Sequence, residues 1–231
     1  MSLPSVNVVR KRILRTTNPK VKVCLMCAYL FGCRISELVG IKSPRDTTVA
    51  RGPRGTDVRT DVHNDEEVSI FRLKTAKRDG LIRLIALPLN PKYERWTKLI
   101  LHYYERRGES LCFPFTRQKV GTVARDIFKG LRYPIAKYTE SSRKGMKKVV
   151  FAHNRPFNIH ALRHLRTTEL VEVYGFDGFD LSIFGGWKLS STTGINSSID
   201  RYTHLQWQRY FPKLLRERTP YIRVTTVREI G

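Results

Sequence analysis

Apolar and polar positions alternate with several different periods along this chain, and each period predicts an element. Val21 to Phe31 is apolar at nearly every position, which predicts a helix buried on most of its faces. Asn18–Pro19 supplies its start, with proline in the first turn, where a missing N–H costs nothing. Gly32 interrupts the run, and Ile35, Leu38 and Val39 then give the apolar face of a following helical stretch. Lys42 to Asp65 is polar and rich in Pro, Gly, Thr and Asp, so it reads as loop. Val68–Leu73 and Leu81–Leu87 are short segments rich in Ile, Leu and Val. They flank Lys74-Thr-Ala-Lys-Arg-Asp-Gly80, whose Asp-Gly pair predicts the turn of a β-hairpin with a basic tip. Pro91 opens a helix to about Arg107, with Trp96, Leu99, Ile100 and Tyr103 at helical spacing. Val120–Leu131 and Ile159–Tyr174 read as helices, Leu181–Trp187 as a short apolar segment, and Ser197–Leu205 and Gln206–Leu215 carry further helical patterns. The pattern predicts a mainly α protein with a small antiparallel β-sheet, an α+β fold. Residues 1–17 read as a basic arm or linker, 18–216 as one folded domain and 217–231 as a C-terminal tail.

Composition narrows the function classes. The longest uncharged apolar run, Cys24 to Cys33, is ten residues, too short to span a bilayer. The N-terminus, MSLPSVNVVRKRILR, builds no apolar signal segment. No membrane or secretory role is expected. Four cysteines in 231 residues make no disulfide framework and fit a reducing, cytoplasmic compartment. Lys and Arg number 43 against 20 Asp and Glu, a net charge of +23. That surplus repels itself unless a polyanion is the partner, and nucleic acid is the first candidate. The charge clusters at Arg10, Lys11, Arg12, Arg15, Lys20 and Lys22, and again at Arg143, Lys144, Lys147 and Lys148.

Several chemistries are not expected. Cys24-x-x-Cys27 lies in an apolar helical run with no second pair at zinc spacing, so it reads as core packing. The carboxylates are too scattered for a two-metal nuclease, and no Walker-type glycine loop is present. Neither metal nor cofactor is expected. Tyr103–Tyr104, Phe113 with Phe115, and Tyr210–Phe211 read as packing aromatics rather than base-stacking platforms.

Three segments set polar residues beside apolar helical patterns. In Gly32-Cys-Arg-Ile-Ser-Glu-Leu38, Arg34 and Glu37 share a helical face and, taken alone, read as a surface ion pair. In His160-Ala-Leu-Arg-His164, His160 and Arg163 share a turn; alone this is equally well a basic helix end. Gly185-Gly-Trp187, followed after a polar stretch by Arg201-Tyr-Thr-His204, is alone an ordinary turn and a packing tyrosine. Together, and in this order, the segments resemble the catalytic domain of the tyrosine recombinase (phage integrase) family. Gly32, Arg34, Glu37 and Leu38 match its first arginine box, Lys74 its hairpin lysine, and His160, Arg163 and His164 its second box. Gly186–Trp187 and Tyr202-Thr-His204 match its last two elements. The resemblance covers about residues 18–210.

The resemblance implies a site-specific integrase or recombinase, of a virus, plasmid or other mobile element, that cleaves and rejoins DNA through a covalent 3′-phosphotyrosine. It implies that Arg34 and Arg163 clamp the scissile phosphate, that His160 and Trp187 donate further hydrogen bonds, and that Tyr202 is the nucleophile. Lys74 would be the general acid, with Lys77 in reserve. Glu37 would orient the cations, and Lys77, Arg78, His164 and Lys188 would contact DNA. Two guanidinium forks hold a phosphate bidentately, and such preorganised charge stabilises what develops in the transition state. The partners implied are double-stranded DNA and further copies of the chain, a tetramer on DNA, in a nucleoid-associated place. Gln206–Gly231 is the segment offered for docking on a neighbouring subunit. The chain departs from the family in two ways. Trp187 and Tyr202 stand fifteen residues apart, longer than the usual spacing, which leaves open whether Tyr202 serves its own site or a neighbour's. Seventeen residues ahead of Asn18 are also too few for the separate DNA-binding domain the family usually carries. The alternatives are relaxation of DNA like a type IB topoisomerase, or a non-catalytic DNA-binding protein on the same scaffold.

Overall fold

Helix α2, Pro19–Leu30, is the centre of the molecule, with Val21 and every residue from Cys24 to Leu30 buried. Its start follows from Asn18, whose side chain accepts the amide N–H groups of Lys20 and Val21 at 3.1 Å. The computed structural model describes residues 3–41, 52–75, 81–140, 147–186 and 206–216, with the side chains of 134–153 outside the description. Around α2 pack α1 (Val6–Leu14), α3 (Ile35–Leu38), α4 (Arg95–Glu105), α5 (Arg117–Ile127) and α6 (Ile159–Glu172). A three-stranded antiparallel sheet, β1 (Val58–His63), β2 (Glu66–Lys74) and β3 (Ile82–Pro88), has β2 in the middle. Against β3 lie α7 (Gly178–Gly185), a 3-10 turn (Trp207–Arg209) and α8 (Phe211–Leu214). A second sheet is a two-stranded ribbon, β4 (Arg132–Glu140) and β5 (Lys147–Pro156). The described residues thus form a mixed α+β fold of eight α-helices and small antiparallel sheets.

Several expectations change. The basic arm of residues 1–17 contains a packed helix: Val6, Val9 and Ile13 sit on one face of α1 and are buried, a spacing diluted in the sequence by the cations between them. Two of those cations are structural. Arg10 pairs with buried Glu94 at 2.6 Å and lies 3.9 Å over the Trp96 ring, and Arg12 donates to the Ile127 carbonyl at 2.9 Å. Strand β1 occupies ground read as loop, because its residues are mostly exposed and carry no apolar alternation. The polar stretch around 143–148 belongs to a region whose flanks form the β4–β5 ribbon. The helix expected from Pro91 starts at Arg95, where the Glu94 carboxylate accepts the Trp96 N–H, and Leu99 points to solvent.

Trp207, Tyr210, Phe211 and Leu214, offered in the sequence as a face for a neighbouring subunit, fill the chain's own core instead. The Tyr210 hydroxyl accepts the Ala86 N–H at 2.8 Å and donates to the Leu84 carbonyl at 3.3 Å, riveting this segment to β3. Residues 217–231 and the helical pattern at Ser197–Leu205 lie outside the described residues.

Candidate active site

Helix α2 ends where Gly32 takes a positive φ of 53°, the left-handed conformation that closes helices and favours glycine. The reversal sets Arg34 at the start of α3 with extended backbone. Glu37, one turn on, reaches back: its Oε2 accepts the Arg34 backbone N–H at 3.2 Å, half of a capping box. Its Oε1 accepts from the Arg34 guanidinium at 3.4 Å, that guanidinium's one hydrogen bond among the described residues. The Arg34 side chain is 32% exposed, so its fork is held loosely and still faces solvent.

Helix α6 brings the second group. Asn158 caps it, accepting the amides of His160 and Ala161 at 3.0 and 3.1 Å. Ala161, Leu162 and Leu165 bury one face, which leaves His160 and His164, one turn apart, on the outer face. Their rings meet edge to face at 4.9 Å, and His164 stacks on Tyr133 at 6.3 Å. Arg163 is buried beneath them, 6% exposed. Burial, and then the charge of Arg34, pull the Arg163 guanidinium down to about 10, with Arg83 adding to the pull and Glu37 opposing it. It remains charged at neutral pH. Burial, then His164, Arg163 and Arg34, hold the His160 imidazole below its ordinary value. Arg34, His160 and Arg163 are therefore near enough for their charges to act on one another.

The residue that sequence reasoning missed is Arg83. It stands on β3 and is 4% exposed. Its guanidinium donates to Glu37 Oε2 at 3.3 Å, to the Phe31 carbonyl at 3.3 Å, and to the Phe184 carbonyl. Two of these partners belong to the C-terminal ends of α2 and α7, where helix dipoles favour a cation. Arg83 thus ties the Arg34 loop to the end of α7. Its signal in the sequence was a lone cation inside Leu81–Leu87, but strand alternation among apolar neighbours reads as the solvent face.

Lys74 ends β2 opposite Ile82, one residue from the Leu73–Arg83 pair, so it stands at the same end of the sheet as this cluster and is exposed. Thr75 follows, and a Cβ placed on Gly186 would lie 3.1 Å from both Thr75 and Arg83. Gly186 closes α7 with φ 62°, so chain reversal and close approach both demand glycine there. Lys74 and Gly186 therefore lie in the same neighbourhood. Lys77, Arg78, Trp187, Lys188 and Tyr202 lie outside the described residues.

Among the described residues the arrangement is rich in cations: Arg34 and Arg83 share the Glu37 carboxylate, whose charge also acts on Arg163, with two imidazoles at the rim. Such a site attracts an anion with several oxygens. The four cysteines are buried thiols. Burial pushes Cys33 and Cys112 up to about 12, with the Glu37 charge also raising Cys33, so these sulfurs pack rather than attack. Among the described residues no group of three or more His, Cys, Asp or Glu is placed to hold a metal ion, and no helix is long and apolar enough to cross a membrane. No protein-family model matches the chain, and no curated protein or solved structure matches it.

Proposed function

We propose that this chain is a tyrosine recombinase-like enzyme, with the catalytic-domain fold of that family, that cuts and rejoins double-stranded DNA. The observation that carries the reading is the meeting of Arg34 with His160 and Arg163, which are more than a hundred residues away in sequence, at a cation-rich spot beside the Lys74 hairpin. A phosphodiester resists attack because it is already an anion. Arg34 and Arg163 hold its two non-bridging oxygens and neutralise charge growing there, work that otherwise falls to metal ions. Trp187 adds an indole N–H to the same phosphate.

Tyr202 has an ordinary phenol pKa of about 10, which neighbouring cations lower. Its oxygen attacks the phosphorus, its proton passes to His160 or water, and the P–O5′ bond breaks. Lys74 delivers a proton to the departing 5′-oxygen. The phosphotyrosine ester conserves the bond energy, and attack by a 5′-hydroxyl reverses each step, so rejoining needs no nucleotide. Glu37 and Arg83 hold Arg34 in place without touching the phosphate. His164, Lys77, Arg78 and Lys188 line the duplex path. The chain works as a tetramer on DNA, in a nucleoid-associated place.

A nicked duplex, from which the cleaved strand diffuses away, tests this. Denaturing gels of protein mixed with nicked random-sequence duplexes show a covalent adduct that Tyr202→Phe lacks. Absence of any adduct, or an unchanged adduct in Tyr202→Phe, sinks the reading.

A further inference from the structure

Among the described residues the β4–β5 ribbon makes extensive contact with no other element; its strands pair with each other, and Tyr133 at its base meets His164 and Phe157. A two-stranded ribbon by itself is at best marginally stable in water, so it gains from a surface that lies along it. The strands run nine and ten residues, about 30 Å at ~3.3 Å per residue. They carry five Lys or Arg (Arg132, Lys137, Lys147, Lys148 and Arg155) against the single carboxylate of Glu140. Their register shifts between Lys137 and Tyr138, and such a bulge steepens the twist of a ribbon.

The base of the ribbon belongs to the cation-rich site. Tyr133, second residue of β4, stacks on His164 and meets Phe157 edge to face at 6.1 Å. Strand β5 ends at Pro156, two residues before the Asn158 cap of the helix that carries His160 and Arg163. An anion lying against the histidine face therefore lies at the root of a basic arm about as long as one turn of duplex (~34 Å).

We infer that the β4–β5 ribbon is a DNA-binding arm that enters the major groove of double-stranded DNA beside the bound phosphate. The B-form major groove, roughly 12 Å wide, admits a two-stranded β-ribbon, whereas the minor groove is too narrow. The bases of the ribbon neutralise phosphates on the groove walls, and its twist follows the groove. The inference rests on the strand-transfer reading only for placing the scissile phosphate at the root of the arm.

Two variants of the full chain test it. In one, residues 134–154 are replaced by Asn-Gly, joining Tyr133 to its cross-strand partner Arg155. In the other, Lys147→Ala and Lys148→Ala keep the ribbon. Both are expected to bind a 40-base-pair duplex at least ~10-fold more weakly, and the double variant to lose ~2 from the salt slope. The wild type should protect guanine N7 from dimethyl sulfate over about one duplex turn, and the shortened variant should not. Unchanged affinity and protection in both variants overturn the arm, as does an equal loss on single-stranded DNA of the same length. The adduct assay separates the two ideas. A shortened variant that still forms the adduct with full affinity defeats the arm alone. A wild type that forms no adduct but loses duplex affinity on shortening defeats the chemistry alone.

Discussion

Arg163 and Arg166 sit one turn apart on the same helix, 6% and 2% exposed, and have opposite electrostatic fates. Burial alone would pull both guanidiniums down. For Arg166 the pull is more than offset by Glu169, whose Oε2 lies 2.6 Å from Arg166 and also accepts the Tyr29 hydroxyl at 2.5 Å, so its affinity for the proton rises. For Arg163 the neighbouring charges are mostly of its own sign, and it falls to about 10. One arginine is neutralised by its own chain and braces α6 against α2. The other stays charged in a cluster where, among the described residues, Arg34 and Arg83 lower its affinity for the proton and Glu37 raises it. A buried group perturbed by like charges is a candidate for binding an anion.

The largest expected effects separate these roles. On the proposed strand-transfer chemistry, Arg163→Met should lower the rate of adduct formation by ~10²- to 10³-fold, the loss of one proposed phosphate clamp, while the urea midpoint barely moves. Arg166→Met should do the reverse, costing ~3 kcal/mol of stability, because it strands a buried carboxylate. Similar losses of stability in both would erase the contrast.

Arg83 sharpens it next, since it combines both characters: a buried ion pair with Glu37 and a position behind Arg34. Arg83→Met should cost ~3 kcal/mol, and adding Glu37→Gln should restore ~1 kcal/mol or more of it, as a double-mutant cycle on a buried pair does. If the pair positions Arg34, the restored double variant still forms adduct slowly at unchanged duplex affinity. Recovery of rate together with stability would make Arg83 a brace only. A smaller effect is expected at Gly186→Ala, about 1–2 kcal/mol for a Cβ in the left-handed region.

How much of this was legible follows from where each signal was stored. Helix α2, the β2–β3 hairpin and α6 were legible because apolar spacing is local, and the Arg34 and His160–Arg163 segments came with them. Their meeting is a tertiary fact that only order and resemblance suggested. Arg83 was illegible because its partners are carbonyls of Phe31 and Phe184 and a carboxylate 46 residues away, none of which leaves a mark beside it in the sequence. Helix α1 was hidden by the cations on its outer face. The ribbon was hidden because its two strands pair mainly with each other and carry no clear alternation of apolar and polar residues.

The smallest effect lies at the rim, where the charge of Arg163 and Arg34 reaches two titratable groups. Burial and the charge of Arg163 lower both His160 and His164 from the ordinary 6.5, with Arg34 and His164 itself also acting on His160. Tyr133, from the ribbon, is the other ring against His164. Above pH 6.5 both folded and unfolded chains leave these imidazoles neutral, and stability is flat. As pH falls from 6.5 toward the lowered values, the unfolded chain takes up protons that the folded chain refuses, so stability drops with acidification. Both rings are exposed, so the drop is modest. The urea midpoint of the wild type should therefore fall more steeply between pH 6.5 and 5 than that of a His160→Gln, His164→Gln variant. Parallel slopes would mean that the cationic cluster does not reach the rim. An opposite order, with the variant falling faster, would mean that the histidines gain protons on folding, and the contrast between a self-neutralised arginine and an anion-seeking one would lose its electrostatic basis.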